Sequence, residues 1–400
     1  MERMICASAN SGSYFTNIAA VHDAKTAPSK AVIDSAGGSR LRTTGIGGCD
    51  RPRLGDNVGD YGLASSTAND GKAVIVGMQQ KGNRVARIND RWLERATVYN
   101  AGGRPKNSEE AMGQAKQRAR AQVNAHQSIE EELRGFGINT AEFGFYDQQA
   151  FLEREQMDGQ FLEKYAQWVD TRPRSAEYDA RARIIVPKLA SFMADLFEKE
   201  GMQRSCVHVS SMLPRILDRM GIWSFGLMGS FVAEVTEADL WRGQASCDVI
   251  DFPGAQRGHA WVVAPPFVIV DATIRLQNPQ GDPMNDYLPE IVAAEDAALT
   301  KATVDDVVSA ELRRAYAEHE GRSDSQLHHR LVPQLRKFSQ SFPSREITIG
   351  QAVLRYVPTG VRVSDLPLEE INSAGEKLIG AEVWDEHIVP NFAEYILPKS

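Results

Sequence analysis

The sequence predicts an α+β fold in which helices come first and an antiparallel sheet follows. Three observations carry that reading. Apolar residues recur at helical spacing through much of 147–220. From residue 223 the pattern changes to short apolar runs, "WSFGLMGSFVAEV" (223–235), "GHAWVVA" (258–264) and "FVIVDATI" (267–274). Helices and strands are grouped, with no βαβ alternation, which excludes a doubly wound parallel sheet.

The elements follow in order. Residues 1–111 hold 14 of the 32 glycines and carry 15 Lys+Arg against 11 Asp+Glu, leaving −12 of the total −8 for the remainder. No period of two or 3.6 runs through them, so they cannot bury enough apolar area to offset their ordering entropy. One short strand over 72–78 and one short helix over 87–99 are the most they offer. The expectation is a disordered or non-native extension. Met112 opens a polar, basic segment suited to a protein start, so either translation begins there or the extension is genuine.

Residues 112–176 read as a helical region. A charged helix over 113–135 is ended by Gly135 and Gly137, and one or two amphipathic helices cover 147–168. Residues 177–285 form the expected core. In "VPKLASFMADLFEKEGM", Pro187 is placed in the first helical turn. A second helix begins at Cys206 and ends at Gly221, with Pro214 inside it, where it removes a backbone hydrogen bond. Residues 286–400 read as a C-terminal α/β accessory region. It has helices in "DDVVSAELRRAYAEHEG", "SQLHHRLVPQLRKF" and "LEEINSAGEKLIG", and a short β region in "REITIGQAVLRYVPTGVRV".

Composition narrows the function. A net charge of −8 argues against nucleic acid as the main partner. No run of about 18 apolar residues is present, so no membrane partner is expected. The start has no uninterrupted apolar stretch of the kind a secretory signal needs. Four cysteines without a CxxC pair suggest free thiols and a cytoplasmic protein.

Cys206 stands at a helix N-terminus, where backbone N–H groups and the helix dipole favour thiolate over thiol. A thiolate nucleophile needs a base, and the base needs an orienting group. The hairpin "GHAWVVAPPFVIVDAT" offers both. With Ala264, Pro265 and Pro266 as a three-residue turn, His259 falls opposite Asp271, on one face and within reach. A two-residue turn would send Asp271 to the other face. Apart from these two residues the hairpin is apolar, and two buried polar groups set opposite one another are best explained as a pair.

Here the chain resembles the transglutaminase-like superfamily of papain-like thiol enzymes, over roughly residues 185–280. The motifs are Cys206 leading an apolar helix into Gly221-Ile222 and a strand, "HAWVV" at His259, and "VDAT" at Asp271. The resemblance implies a core in which the nucleophile helix packs on an antiparallel sheet. It implies Cys206 as nucleophile, His259 as general base and acid, and Asp271 as the orienting carboxylate. It also implies thiolate attack on an amide carbonyl of a protein or peptide substrate, with hydrolysis favoured over cross-linking and no cofactor. Acyl transfer of the arylamine N-acetyltransferase type, or a non-catalytic binding module on the same fold, are the alternatives. Gln203 is a candidate side-chain oxyanion donor, with the Cys206 backbone N–H the stronger one. Trp261 is expected to pack beside the triad, His208 to be structural and Cys247 incidental. His328 and His329 should point apart on a helix, so no metal is expected.

Overall fold

The computed structural model describes residues 108–248, 258–372 and 377–398, with side chains from residue 120 onward. The expectations for residues 1–107 lie outside the described residues. The fold is α+β, with helices packed on an antiparallel sheet that curls into a half-barrel. Among the described residues no helix is long and apolar enough to cross a membrane.

The helical region begins with α1 (Ser108–Gly135), which starts earlier than the sequence pattern suggests. Gly137, in the left-handed region at φ 79°, ends it, and the Ile138 N–H returns to the Leu133 carbonyl at 3.1 Å. Two short helices follow, α2 (Gln149–Met157) and α3 (Leu162–Thr171). They bring Phe145, Tyr165, Trp168 and Trp223 into one edge-to-face cluster, with ring centroids 4.7–5.1 Å apart for the contacts among Phe145–Tyr165, Phe145–Trp168 and Trp168–Trp223.

Helix α4 (Ala176–Lys199) starts well before the expected point. Ser175 caps it, its side chain accepting from the Tyr178 N–H at 3.2 Å. Pro187 is therefore in the helix interior and not in the first turn. Ile185, Val186, Leu189, Ala190, Met193 and Phe197 are all fully buried on this helix. At about 1.5–3 kcal/mol for each large apolar side chain, that burial outweighs the roughly 3 kcal/mol cost of an interior proline. Helix α5 (Cys206–Arg219) carries Pro214 inside it, as expected.

The sheet is built from β1 (Phe225–Val235), β2 (Leu240–Gln244), β3 (His259–Ala264), β4 (Phe267–Asp271), β5 (Val292–Ala294), β6 (Ala298–Thr300), β7 (Ser344–Ile349) and β8 (Ala352–Arg362). Its order is β5-β4-β3-β1-β8-β7-β6, with β2 pairing the far half of β1. Alternation divides the strands between two cores. Phe225, Leu227, Phe231, Trp261, Ile269 and Tyr356 join the aromatic cluster from α1–α3. Val262, Val270 and Ala272 join the core made by α4, α5 and the C-terminal helical segment.

The 286–400 region, expected as an accessory unit, lies in this same sheet: β8 is hydrogen-bonded along most of β1. Several of its expected helices are shorter. Between 304 and 341 the chain makes α6 (Val304–Val307), α7 (Ala310–Glu320), α8 (Leu327–Leu331) and α9 (Leu335–Ser341). Pro333 lies in the break between the last two, where it has no N–H to continue the ladder. Over 368–372 only one 3₁₀ turn, Leu368–Glu370, replaces the expected helix; Pro367 leads into it.

The β3–β4 hairpin departs from the expected register. Ala264 pairs with Phe267, so Pro265 and Pro266 form a two-residue turn. An irregularity then shifts the register, and Val262 pairs with Val270. The two-residue turn alone would have put His259 and Asp271 on opposite faces. The shift restores the parity, two residues further along than the three-residue turn would have set it.

Near the end of α5 lies a buried carboxyl group. Asp218 accepts from the Tyr146 hydroxyl at 2.9 Å, while its other oxygen is buried without a partner. Arg215 lies over the Tyr146 ring and pairs with Asp147. Burial pushes the Asp218 carboxyl up to about 8, against the hydrogen bond from Tyr146 and the charge of Arg215. The native protein thus keeps a proton that the unfolded chain releases near pH 4. Stability falls as pH rises between about 4 and about 8, by up to ~1.4 kcal/mol per pH unit from this group. Asp218→Asn is expected to remove that slope and to be the more stable protein at pH 8. Denaturant unfolding at pH 5 and pH 8 checks this, and parallel pH profiles for the two proteins would contradict it.

Candidate active site

The site begins with two glycines. Gly258, at φ 68°, precedes His259, and a Cβ there would lie 2.3 Å from the Gly229 carbonyl oxygen. A Cβ on Gly229 would in turn lie 2.0 Å from the Val357 oxygen. Three strands therefore crowd together at this level, and β1 shifts register against β8 between Met228 and Gly229. Only glycine permits such close backbone approach. The crowding fixes the first residue of β3, which is His259.

Asp271 ends β4 and is buried with four donors around it. One oxygen accepts from the Thr273 N–H (2.9 Å) and hydroxyl (3.1 Å). The other accepts from His259 Nε2 (2.7 Å) and the Tyr356 hydroxyl (3.0 Å). Burial disfavours the charged carboxylate, but the charge and hydrogen bond of His259, with those of Thr273 and Tyr356, hold its pKa below the ordinary value. Burial likewise opposes charge on His259. The Asp271 charge and hydrogen bond, followed by the Cys206 side chain, outweigh it and raise the imidazole to about 10. At neutral pH the pair is imidazolium and carboxylate.

The His259 ring packs among Phe231, Trp261 and Tyr356, with centroids 5.1, 6.1 and 6.3 Å away. Trp261 packs beside the pair as its sequence position suggests. Tyr356 is absent from the sequence reading; its strand β8 belongs to the region taken as accessory. The only available signal is a tyrosine in the strand-like run "AVLRYV".

Cys206 opens α5 with 4% of its surface exposed. The preceding Arg204 is a non-glycine residue in the left-handed region, φ 56°, and its N–H donates to the Leu276 carbonyl at 2.7 Å. Such a conformation persists only where surroundings impose it, and it often marks a functional turn. Ser205 makes no side-chain cap, and its hydroxyl is buried without a partner. No side chain therefore occupies the first-turn N–H groups. After Asp271, the Cys206 side chain also favours the charged form of His259. Nδ1, the ring nitrogen not bound to Asp271, is buried and without a closed hydrogen bond.

The remaining candidates sort by their contacts. Gln203, with its amide oriented to satisfy its neighbours, donates to the carbonyls of Leu276 (3.1 Å) and Asn278 (2.8 Å). Both amide protons are used there, which leaves the Cys206 backbone N–H as the oxyanion donor to consider. Cys206 is a free, buried cysteine, and Cys247 is buried, its backbone bonded to Val307 and Ser309. The rings of His328 and His329 do not point apart but lie 4.0 Å from one another. Among the described residues no group of three or more His, Cys, Asp or Glu could hold a metal ion.

No family model, curated protein or solved structure matches the chain.

The electrostatic link between His259 and Asp271 can be read directly. In Asp271→Asn, burial acts on the imidazole without the compensating charge, so His259 is expected to titrate far below its wild-type value, at or under the ordinary 6.5. Tyr356→Phe leaves the carboxylate in place and should keep His259 protonated at neutral pH. NMR titration of the ring resonances measures both. An unchanged His259 titration in Asp271→Asn would break the link.

Proposed function

We propose that the protein is a cysteine-dependent acyl-transfer enzyme acting on an amide of a protein or peptide, with hydrolysis as its outcome. One observation carries this reading: the free cysteine, at an uncapped helix N-terminus, adjoins a histidine whose far nitrogen is hydrogen-bonded to a buried carboxylate. Nucleophile, base and orienting group stand in the order this chemistry requires. The motif resemblance to transglutaminase-like thiol enzymes supports the same assignment, as does an α+β fold with helices against an antiparallel sheet.

In the proposed reaction the Cys206 thiolate attacks the amide carbonyl carbon. A carbon–sulfur bond forms, and the carbonyl oxygen takes the negative charge against the first-turn N–H groups of α5. The carbon–nitrogen bond then breaks, and the His259 imidazolium gives its proton to the leaving amine. Water attacks the thioester, losing a proton to His259, and the acid departs as the carbon–sulfur bond breaks. Asp271 stays ionised throughout and holds the ring so that Nδ1 faces the sulfur.

A second reading, a non-catalytic module, draws on the near-complete burial of Cys206 and His259. Kinetics decide between them. Incubation with a panel of peptide esters and amides should yield a thioester adduct on Cys206, seen by intact mass after acid quench. Cys206→Ala should give none. His259→Ala should slow its formation by about 10²–10⁴-fold, the usual worth of a positioned acid–base group. Asp271→Asn should lose a smaller factor. Adduct formation that ignores the loss of His259 would favour the binding module.

A further inference from the structure

The inference concerns the kind of substrate this site takes, and it rests on the acyl-transfer reading. Arg362 is the last residue of β8, paired with Gly226 of β1. A Cβ on Gly226 would sit 2.6 Å from the Arg362 carbonyl oxygen and 3.6 Å from that of Ser210, so β1, β8 and α5 are in close contact here. The guanidinium points to α5: its Nη2 donates to the Ser211 hydroxyl at 3.3 Å, which is itself tied to the Val207 carbonyl at 2.7 Å.

That hydroxyl is a weak partner for a guanidinium with five N–H donors. Nε is buried with no acceptor. Other arginines packed against this fold hold carboxylates: Arg215 holds Asp147, Arg355 holds Asp306 and Arg183 holds Glu295. Among the described residues no carboxylate comes within ion-pair distance of Arg362, in a chain with an excess of acidic residues. Burial works against its charge, and the Cys206 side chain and, after it, Asp365 favour that charge. A desolvated, under-satisfied cation is costly unless an anion completes it.

We propose that Arg362 is the anion subsite of the Cys206 centre, and that the acyl group accepted there carries a carboxylate near the scissile carbonyl, as in an acidic side chain or a chain-terminal carboxylate. Its fork of donors suits a planar carboxylate, and its bond to Ser211, itself bonded to the carbonyl of Val207 beside Cys206, brings it to the first turn of α5.

The test uses two small electrophiles that differ in charge: iodoacetate, which brings a carboxylate to the sulfur, and neutral iodoacetamide. Their rates at Cys206 are read by peptide mass in the full-length protein, with Cys206→Ala as background. The wild type should favour iodoacetate, and added salt should slow iodoacetate while leaving iodoacetamide nearly unchanged. Arg362→Gln should lower the iodoacetate-to-iodoacetamide ratio by about tenfold, the scale of one desolvated charge pair, and Arg362→Lys should restore part of it. An unchanged ratio in Arg362→Gln, or equal loss of both rates, overturns the anion subsite. A salt-insensitive ratio in the wild type overturns it without any variant. His259→Ala judges the acyl-transfer reading separately, because loss of the base slows neutral iodoacetamide, a rate that Arg362→Gln leaves alone. If neither reagent reaches Cys206, both readings fall, since no substrate could reach it either.

Discussion

The candidate site depends on one buried carboxylate. Asp271 lies inside the sheet with no solvent to stabilise its charge, and four donors replace the water it has lost. Remove that network and an isolated anion in an apolar core would take up a proton. With the network in place the anion persists, and it keeps the histidine beside it charged. The sharp turn through Thr273, the crowding at Gly258 and Gly229, and the presence of β8 at the centre of the sheet all serve to bring donors to those two oxygens.

Asp218 shows what happens without such a network. It too is buried, and it has one hydroxyl donor and the charge of Arg215 where Asp271 has four donors, one of them the His259 imidazole. Its proton stays on. The two aspartates, one ending β4 and one on α5, respond in opposite directions to the same loss of water, and the number of donors decides the direction.

Much of this is legible in the residues themselves. An apolar hairpin with a single histidine and a single aspartate announces their pairing, because burial leaves each no other partner in the hairpin. A cysteine before an amphipathic helix marks the helix tip. The register is not legible, since a bulge near a Pro-Pro turn changes parity without leaving a residue pattern. Tyr356 is hidden for a different reason. It arrives from a strand far along the chain, and hydrophobic periodicity reports local structure, not which distant strand will lie alongside. Pro187 misleads because a strong local rule about first turns yields to the burial of the face around it.

The placement of β8 also has a consequence for how the candidate site comes together. Among the described residues it is the last strand made, yet it sits between β1 and β7 and supplies both Tyr356 and Arg362. A polypeptide emerging from the ribosome will hold its cysteine helix and its histidine hairpin long before the strand that completes their surroundings. Pairings so distant along the chain form slowly. Cys206 and His259 thus lack Tyr356 and Arg362 during synthesis, and the complete surroundings of the candidate site belong only to the finished chain.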